Sequence, residues 1–195
     1  QPSNEIDEIL DSLNDLVKAG KIRYIGLSNE TPWGTMKFLH HSNISSVPRV
    51  QSIQNAYNLL NRTFEIGGSE IAHREDVGLL AYSPLAQGYL TGKYQNGKLP
   101  KGSRKELFNR LQRYEGPYAE EAIEDYLSIA KKYNIDPSQL ANQFVTTRPF
   151  VTSNIIGATN MKQLKLAVTS IEINLTKEIE NEIEKAFQKH GNVAS

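Results

Sequence analysis

An α/β fold with parallel strands is the class this sequence predicts, on three observations. Segments with one-face helical spacing take turns with short apolar runs along the 195 residues. Those runs lack a polar–apolar alternation, as do strands buried on both faces of a parallel sheet. Each run ends in hydroxyls, amides or glycine, and in parallel α/β folds ligands collect beyond the carboxyl ends of the strands.

The elements follow in order. Ile6, Ile9, Leu10, Leu13, Leu16 and Val17 define a first helix that Gly20 stops. Arg23 to Ser28 reads as a buried strand. Thr31-Pro32 is an N-cap with proline at the first helical position, opening a helix through Met36 and Leu39. Val50 to Gln54 is the second strand. Asn61 is expected to cap a helix carrying Phe64, Ile66 and Ile71. Val77 to Tyr82 is the third strand, and Ser83 to about Gly116 reads as a long loop. A helix through Ala122, Ile123, Tyr126, Leu127 and Ala130 follows. Asp136-Pro137-Ser138-Gln139 is a capping box opening another helix. Asn154 to Ile156 is the fourth strand. Asn160 to Gln163 repeats the capping-box spacing, and Thr176 opens the last helix.

Composition excludes several classes. The chain has 22 basic and 22 acidic side chains, 38% hydrophobic residues and no cysteine. Such a balance belongs to a globular fold and exerts no general pull on nucleic acid or anionic lipid. Without cysteine there is no disulfide, thiol nucleophile, cysteine zinc site or iron–sulfur cluster. No stretch approaches the roughly 18 apolar residues of a membrane span. No signal peptide is visible, so a cytoplasmic location is expected, with no membrane and no nucleic-acid partner. The four histidines have no metal-ligand spacing, and no Gly-x-Ser-x-Gly elbow occurs. Packing is the expected role of Trp33.

Candidate chemistry sits at the strand ends. They read Gly26-Leu27-Ser28-Asn29, Gln54-Asn55, Tyr82-Ser83-Pro84-Leu85 and Gly157-Ala158-Thr159-Asn160. Amides and hydroxyls recognise a carboxamide but make poor general acids or bases at neutral pH. This set is therefore suited to binding, with turn formation and helix capping as the alternative. Gly157 before a helix start suits a phosphate. The loop's Lys93, Lys98, Lys101, Arg104, Lys105, Arg110 and Arg113 face one nearby acid, Glu106, and suit a phosphate clamp as well as a solvated surface.

Taken together, these segments resemble the aldo-keto reductases over nearly the whole chain, in family order and spacing. Gly20 to Asn29 is similar to the fifth-strand signature, and Gln54 to Asn58 to the sixth-strand segment. Ala81 to Leu85, with Gly88 and Leu90-Thr91-Gly92-Lys93-Tyr94, resembles the seventh strand and its cofactor loop. Ile156 to Asn160 with Gln163-Leu164 resembles the eighth-strand turn. Asn61 to Glu65 and the loop look most like the Tas-like branch.

The resemblance implies an α/β fold corresponding to strands five to eight, the second half of a (β/α)8 TIM barrel. Residues 1–195 would be its C-terminal, cofactor-binding half. A complete barrel typically needs about 250 residues. The implied cofactor is NADPH/NADP. Residues matching Ser28, Asn29 and Gln54 hold the nicotinamide carboxamide, and the match to Tyr82 stacks on its ring. The segment Ser83, Pro84, Leu85, Gly88, Leu90, Gly92, Lys93 folds over the pyrophosphate. Matches to Lys93 and Arg104 meet phosphates, including the 2′-phosphate, and Gly157, Thr159 and Gln163 line the adenosine end. Leu166 and Ala167 depart from the family's common Glu and Asn against the adenine. The family's catalytic Asp, Tyr, Lys and His lie on the first four strands and have no counterpart in these residues.

The implied activity is hydride transfer to a small-molecule carbonyl. A half barrel leaves strand edges and apolar faces uncovered, so residues 1–195 alone are not expected to form a stable monomer. Further chain or a partner would complete the barrel. The alternative is a non-catalytic nucleotide-sensing or interaction protein, as some relatives such as potassium-channel β subunits are, or an inactive truncated product.

Overall fold

A computed structural model describes residues 4–108 and 112–194. Arg110, one of the loop cations above, lies outside the described residues. Four strands, β1 (Ile25–Ser28), β2 (Val50–Ala56), β3 (Gly78–Tyr82) and β4 (Val151–Ile155), form one sheet in the order β1-β2-β3-β4. β1 and β2 run parallel, with Ser28 opposite Gln54. The helices are α1 (Asn4–Lys18), α2 (Pro32–Ile44), α3 (Gly68–Glu75), α4 (Arg104–Phe108), α5 (Ala119–Lys132), α6 (Pro137–Thr146), α7 (Met161–Thr169) and α8 (Lys177–His190). Two compact units share these elements. One runs to Asn55 and resumes over Phe64–Leu80; the other holds Ala56–Thr63 and runs on from Ala81.

In the first unit, α1 packs on α2 and α2 on α3. Gly20 ends α1 in a Schellman motif: its φ is +69°, its N–H donates to Val17 O (2.9 Å), and Lys21 N–H donates to Leu16 O (3.0 Å). Thr31 Oγ1 accepts from Gly34 N–H at 3.1 Å, so the Thr31-Pro32 cap forms as expected. Val50, Ile53, Val77 and Leu79 make the core of this unit, each at most 1% exposed.

In the second unit, α5 packs against α6 and α8, and α6 against α7 and β4. Ile123, Leu140, Phe144 and Ile183 are each 1% exposed. Arg62 is buried between aromatic rings, its guanidinium 4.0 Å from the Phe187 centroid and 5.5 Å from that of Phe144. Glu184 pairs with it at 2.9 Å. A guanidinium stacks where an ammonium would not, and this one keeps a carboxylate partner while its flat faces are covered.

Several expectations need correction. Asn61 caps no α-helix: its Oδ1 accepts from Thr63 N–H (3.2 Å) and Thr63 Oγ1 (2.6 Å) at a short 3-10 turn, Thr63–Glu65, and α3 begins later with Gly67 as N-cap. Residues 83–116 are not one loop, since 3-10 turns Ala86–Thr91 and Gln95–Gly97 and helix α4 punctuate them. Asp136 caps its helix, but without the expected capping box. Asp136 accepts from Ser138 N–H at 2.8 Å, but Gln139 donates to Thr169 Oγ1 at 2.9 Å. A tertiary partner thus outcompetes the local one. β4 starts three residues earlier than expected and excludes Ile156. It has no buried residue and β1 only Ile25, so burial on both strand faces fails in both strands. Trp33 is 64% exposed, not packed, because the first turn of α2 presents Gly34 and Thr35 to the interior instead.

Candidate functional site

In the first unit, three of the residues singled out by sequence meet at the ends of β1 and β2. Asn29 N–H donates to Gln54 O at 3.0 Å, and Asn29 Nδ2 donates to Ser28 Oγ at 3.4 Å. Asn29 is left-handed (φ +53°), a conformation asparagine tolerates better than most residues. The turn beyond them is pinned by Asn55. Its carboxamide accepts from Glu30 N–H (3.2 Å) and donates to Glu30 O (3.0 Å), as a strand partner would. Ser28, Asn29 and Gln54 are all exposed. The cluster offers one hydroxyl and two amides on a fixed backbone.

In the second unit, the Tyr82–Lys93 segment is the most contorted stretch described. Ser83, Ala86, Gln87, Gly88 and Gly92 all have positive φ (58°, 48°, 57°, 101° and 76°). A left-handed residue other than glycine costs on the order of 1–2 kcal/mol, so the surroundings must hold this path. Part of the hold is internal: Ser83 O accepts from Ala86 N–H (2.9 Å), and Leu85 O from Gly88 N–H (2.8 Å) and Leu90 N–H (3.2 Å). Pro84, Gly88 and Leu90 are buried, while Tyr82 and Lys93 are half-buried. A Cβ on Gly88 would lie 2.6 Å from Lys93 Cε and 2.7 Å from its Nζ. Glycine therefore lets the Lys93 ammonium lie against the backbone. Gln87 Oε1 is buried with no hydrogen-bond partner.

The remaining predicted residues sit apart from that segment in the chain. Arg104 is exposed at the start of α4. Thr159, Asn160 and Gln163 form one local network at the start of α7. Asn160 Oδ1 accepts from Gln163 N–H (3.0 Å), and Gln163 Oε1 accepts from Thr159 N–H (2.8 Å) and Thr159 Oγ1 (3.0 Å). Gly157 is exposed, and a Cβ there would meet nothing within 4 Å. Packing within the described residues therefore does not call for glycine there. Leu166 and Ala167 are half-buried in α7.

The basic loop is less free than its composition suggests. Lys105 Nζ pairs with Glu115 Oε1 at 2.7 Å, and Tyr89 Oη donates to the same oxygen at 2.5 Å. Those two donors hold the Glu115 carboxyl below its ordinary range, Lys105 first and Tyr89 second. Burial, then the bond to Glu115, pushes the Tyr89 phenol far up, so it stays protonated. Glu106 is thus not the loop's one acid. Glu115, Glu120, Glu121 and Glu124 join Tyr89 and Tyr94 around a cavity of about 780 Å³. Lys105 is committed to a protein partner and drops out of any phosphate clamp.

Sequence reasoning missed Asn58. It is fully buried: its Nδ2 donates to Ser83 O at 3.0 Å and to Tyr114 Oη at 3.2 Å. An amide within Tyr57-Asn58-Leu59-Leu60, all buried, was the available signal. Among the described residues no group of three or more His, Asp or Glu is placed to hold a metal, and no helix is long and apolar enough to cross a membrane.

Comparison with known proteins agrees with the α/β architecture. The chain is 46% identical over 187 residues to "Protein tas" of Escherichia coli (strain K12), covering 96% of this chain and 54% of that protein. It is 38% identical over 192 residues to an aldo-keto reductase of Babesia bovis, covering 94% of this chain and 67% of the relative. The glycerol dehydrogenase of Gluconobacter oxydans has a similar fold, with a TM-score of 0.72 at 24% identity, over 96% of this chain and 55% of that enzyme. The chain thus spans about half the length of two of these three proteins. The model of the "Aldo/keto reductase family" matches residues 1–188, and with it the chain belongs to that family.

Proposed function

We propose that this chain is the cofactor-binding part of an NADPH-dependent aldo-keto reductase that converts a small-molecule carbonyl to an alcohol. In this reading β1 to β4 stand as strands five to eight of a (β/α)8 barrel. The observation that carries it is the hydrogen-bonded cluster of Ser28, Asn29 and Gln54 at the strand ends. One hydroxyl and two amides offer both donors and acceptors, which is what a carboxamide requires.

The chain's own chemistry fits the cofactor in two further ways. The Gly88 backbone leaves room that a Cβ would take from the Lys93 ammonium, and Gln87 Oε1 is an acceptor without a protein donor, which a ribose hydroxyl, not a phosphate oxygen, would satisfy. Bound nicotinamide would supply the hydride. Ser28, Asn29 and Gln54 would orient the carboxamide, and the Tyr82 ring would fix which face is presented. The Ser83–Lys93 backbone, Lys93 and Arg104 would hold phosphate oxygens as a cationic cradle. Gly157, Thr159 and Gln163 would take the adenosine end. None of these side chains serves as the acid of the reaction, so no catalytic residue is assigned among them.

That same lack of a general acid or base favours one second reading, a nucleotide-binding protein without turnover. Both are tested on the product of the full reading frame. NADPH is expected to bind more tightly than NADH. Arg104→Ala should weaken NADPH binding at least fivefold and leave NADH within twofold, whereas Lys93→Ala, beside the pyrophosphate segment, should weaken both. Equal affinity for both cofactors, or none for either, would sink the NADPH assignment. Carbonyl-dependent NADPH oxidation selects the reductase over the second reading.

A further inference from the structure

Asn58 uses all four hydrogen-bonding positions of its carboxamide on two different parts of the second unit. Its Oδ1 accepts from Leu60 N–H (2.9 Å) and Asn61 N–H (3.1 Å), closing the turn that follows β2. The backbones of Asn58 and Asn61 also exchange two bonds of 3.0 Å. Its Nδ2 reaches Ser83 O at 3.0 Å and Tyr114 Oη at 3.2 Å. The orientation of the amide is unambiguous, because a carbonyl can only accept and a backbone N–H can only donate.

Those two Nδ2 partners lie near the two ends of residues 83–116, the insertion between β3 and α5. Ser83 is its first residue and the first left-handed one (φ +58°); Tyr114, 1% exposed, lies near its end. Tyr114 in turn sets its ring 5.8 Å from that of Tyr89, inside the contorted segment. Ser83 O spends its second lone pair on Ala86 N–H (2.9 Å), so the anchor passes directly into the left-handed run Ala86, Gln87, Gly88. A path this strained persists where its neighbours over-determine it. Asn58 is a long-range neighbour that does so at both ends of the insertion.

We propose that Asn58 is a positioning residue that staples both ends of the 83–116 insertion and so sets the path of the backbone between Ser83 and Lys93. The consequence for ligand binding rests on the reading of that segment as the cofactor loop. Asn58 touches no ligand in this scheme; it acts through Ser83 and Tyr114. On that reading, a changed backbone path between Ser83 and Lys93 shows first in how quickly a bound cofactor escapes.

Asn58→Asp keeps both acceptors facing the turn and removes the donor to Ser83 O. Tyr114→Phe removes the other arm, together with the bond that hydroxyl makes to Arg113, and leaves the donor to Ser83 O in place. On the product of the full reading frame, NADPH release is expected to quicken at least tenfold in Asn58→Asp and about threefold in Tyr114→Phe, with the number of sites per folded chain unchanged. The double variant should be no worse than Asn58→Asp, as for groups acting through one hydrogen-bond network. A merely structural role would lower the unfolding midpoint and the number of active sites without changing the release rate of chains still folded. Cleavage after Lys93 by a lysine-specific protease, with no cofactor present, should quicken at least tenfold in Asn58→Asp. Should Asn58→Asp not fold, Tyr114→Phe decides by both measurements. Unchanged release and cleavage in a folded variant would overturn the staple. If the wild-type protein binds no NADPH, the cofactor reading falls, and the cleavage rate alone decides the staple.

Discussion

Gly88 is where backbone and side-chain demands coincide. Its φ of +101° lies beyond the left-handed region that other residues tolerate, and its missing Cβ is the space beside the Lys93 ammonium. Lys93 Nζ is also 5.0 Å from the centre of the Tyr94 ring, so its position is partly set by a cation–π contact. In Gly88→Ala the far end of Lys93 can swing away at little cost, but the backbone strain remains. We expect a loss of about 1–2 kcal/mol in unfolding free energy by chemical denaturation. NADPH affinity should fall by more than the stability loss alone produces, because the displaced ammonium no longer lies where Gly88 put it. A variant as stable as wild type would show that the left-handed path is not needed.

At the scale of elements, the α5–α8 contact combines a core with a charged seam. Ile123, Tyr126, Ile183 and Ala186 are buried, and Asp125 on α5 meets Lys189 (2.8 Å) and His190 (2.7 Å) on α8. The Lys189 ammonium first, and His190 second, hold the Asp125 carboxyl below its ordinary value. A carboxyl depressed in the folded state contributes stability above its unfolded pKa and loses it as pH falls through the folded value. The wild-type protein should therefore lose stability as pH drops below about 4, and Asp125→Asn should lose less over the same interval. At neutral pH the variant should be less stable by up to about 1 kcal/mol, since Asp125 is partly exposed and the pair is screened. Urea midpoints between pH 2.5 and 7 measure both slopes; parallel curves would refute the assignment.

For the whole molecule, β4 and α7 show what the described residues leave uncovered. Ile155, Ile156, Met161, Leu164, Val168 and Ile171 are 37–76% exposed in one stretch of the second unit. α7 has no buried residue although its cap is well formed. Apolar surface of this kind associates when nothing covers it. Residues 1–195 produced alone should bind a hydrophobic dye and sediment as more than a monomer. A sharp, cooperative melt of a monomer would contradict this, and would also weigh against the half-barrel reading proposed above.

Short-range chemistry was legible along the chain. Gly20 and Thr31-Pro32 act within five residues of themselves, so their motifs formed as read. The grouping of Ser28, Asn29 and Gln54 was legible too, because parallel strands align their ends once the strands are recognised. Tertiary structure decided whatever depended on a distant partner. Gln139 left its box for Thr169, Lys105 left the phosphate clamp for Glu115, and Trp33 turned to the surface. Asn58 became a hub through residues 25 and 56 positions away. The physical reason is range and regularity: caps are set by bonds within a turn of chain and strand ends by the repeating register of the sheet, whereas a buried amide takes its partners from whatever the fold brings to it.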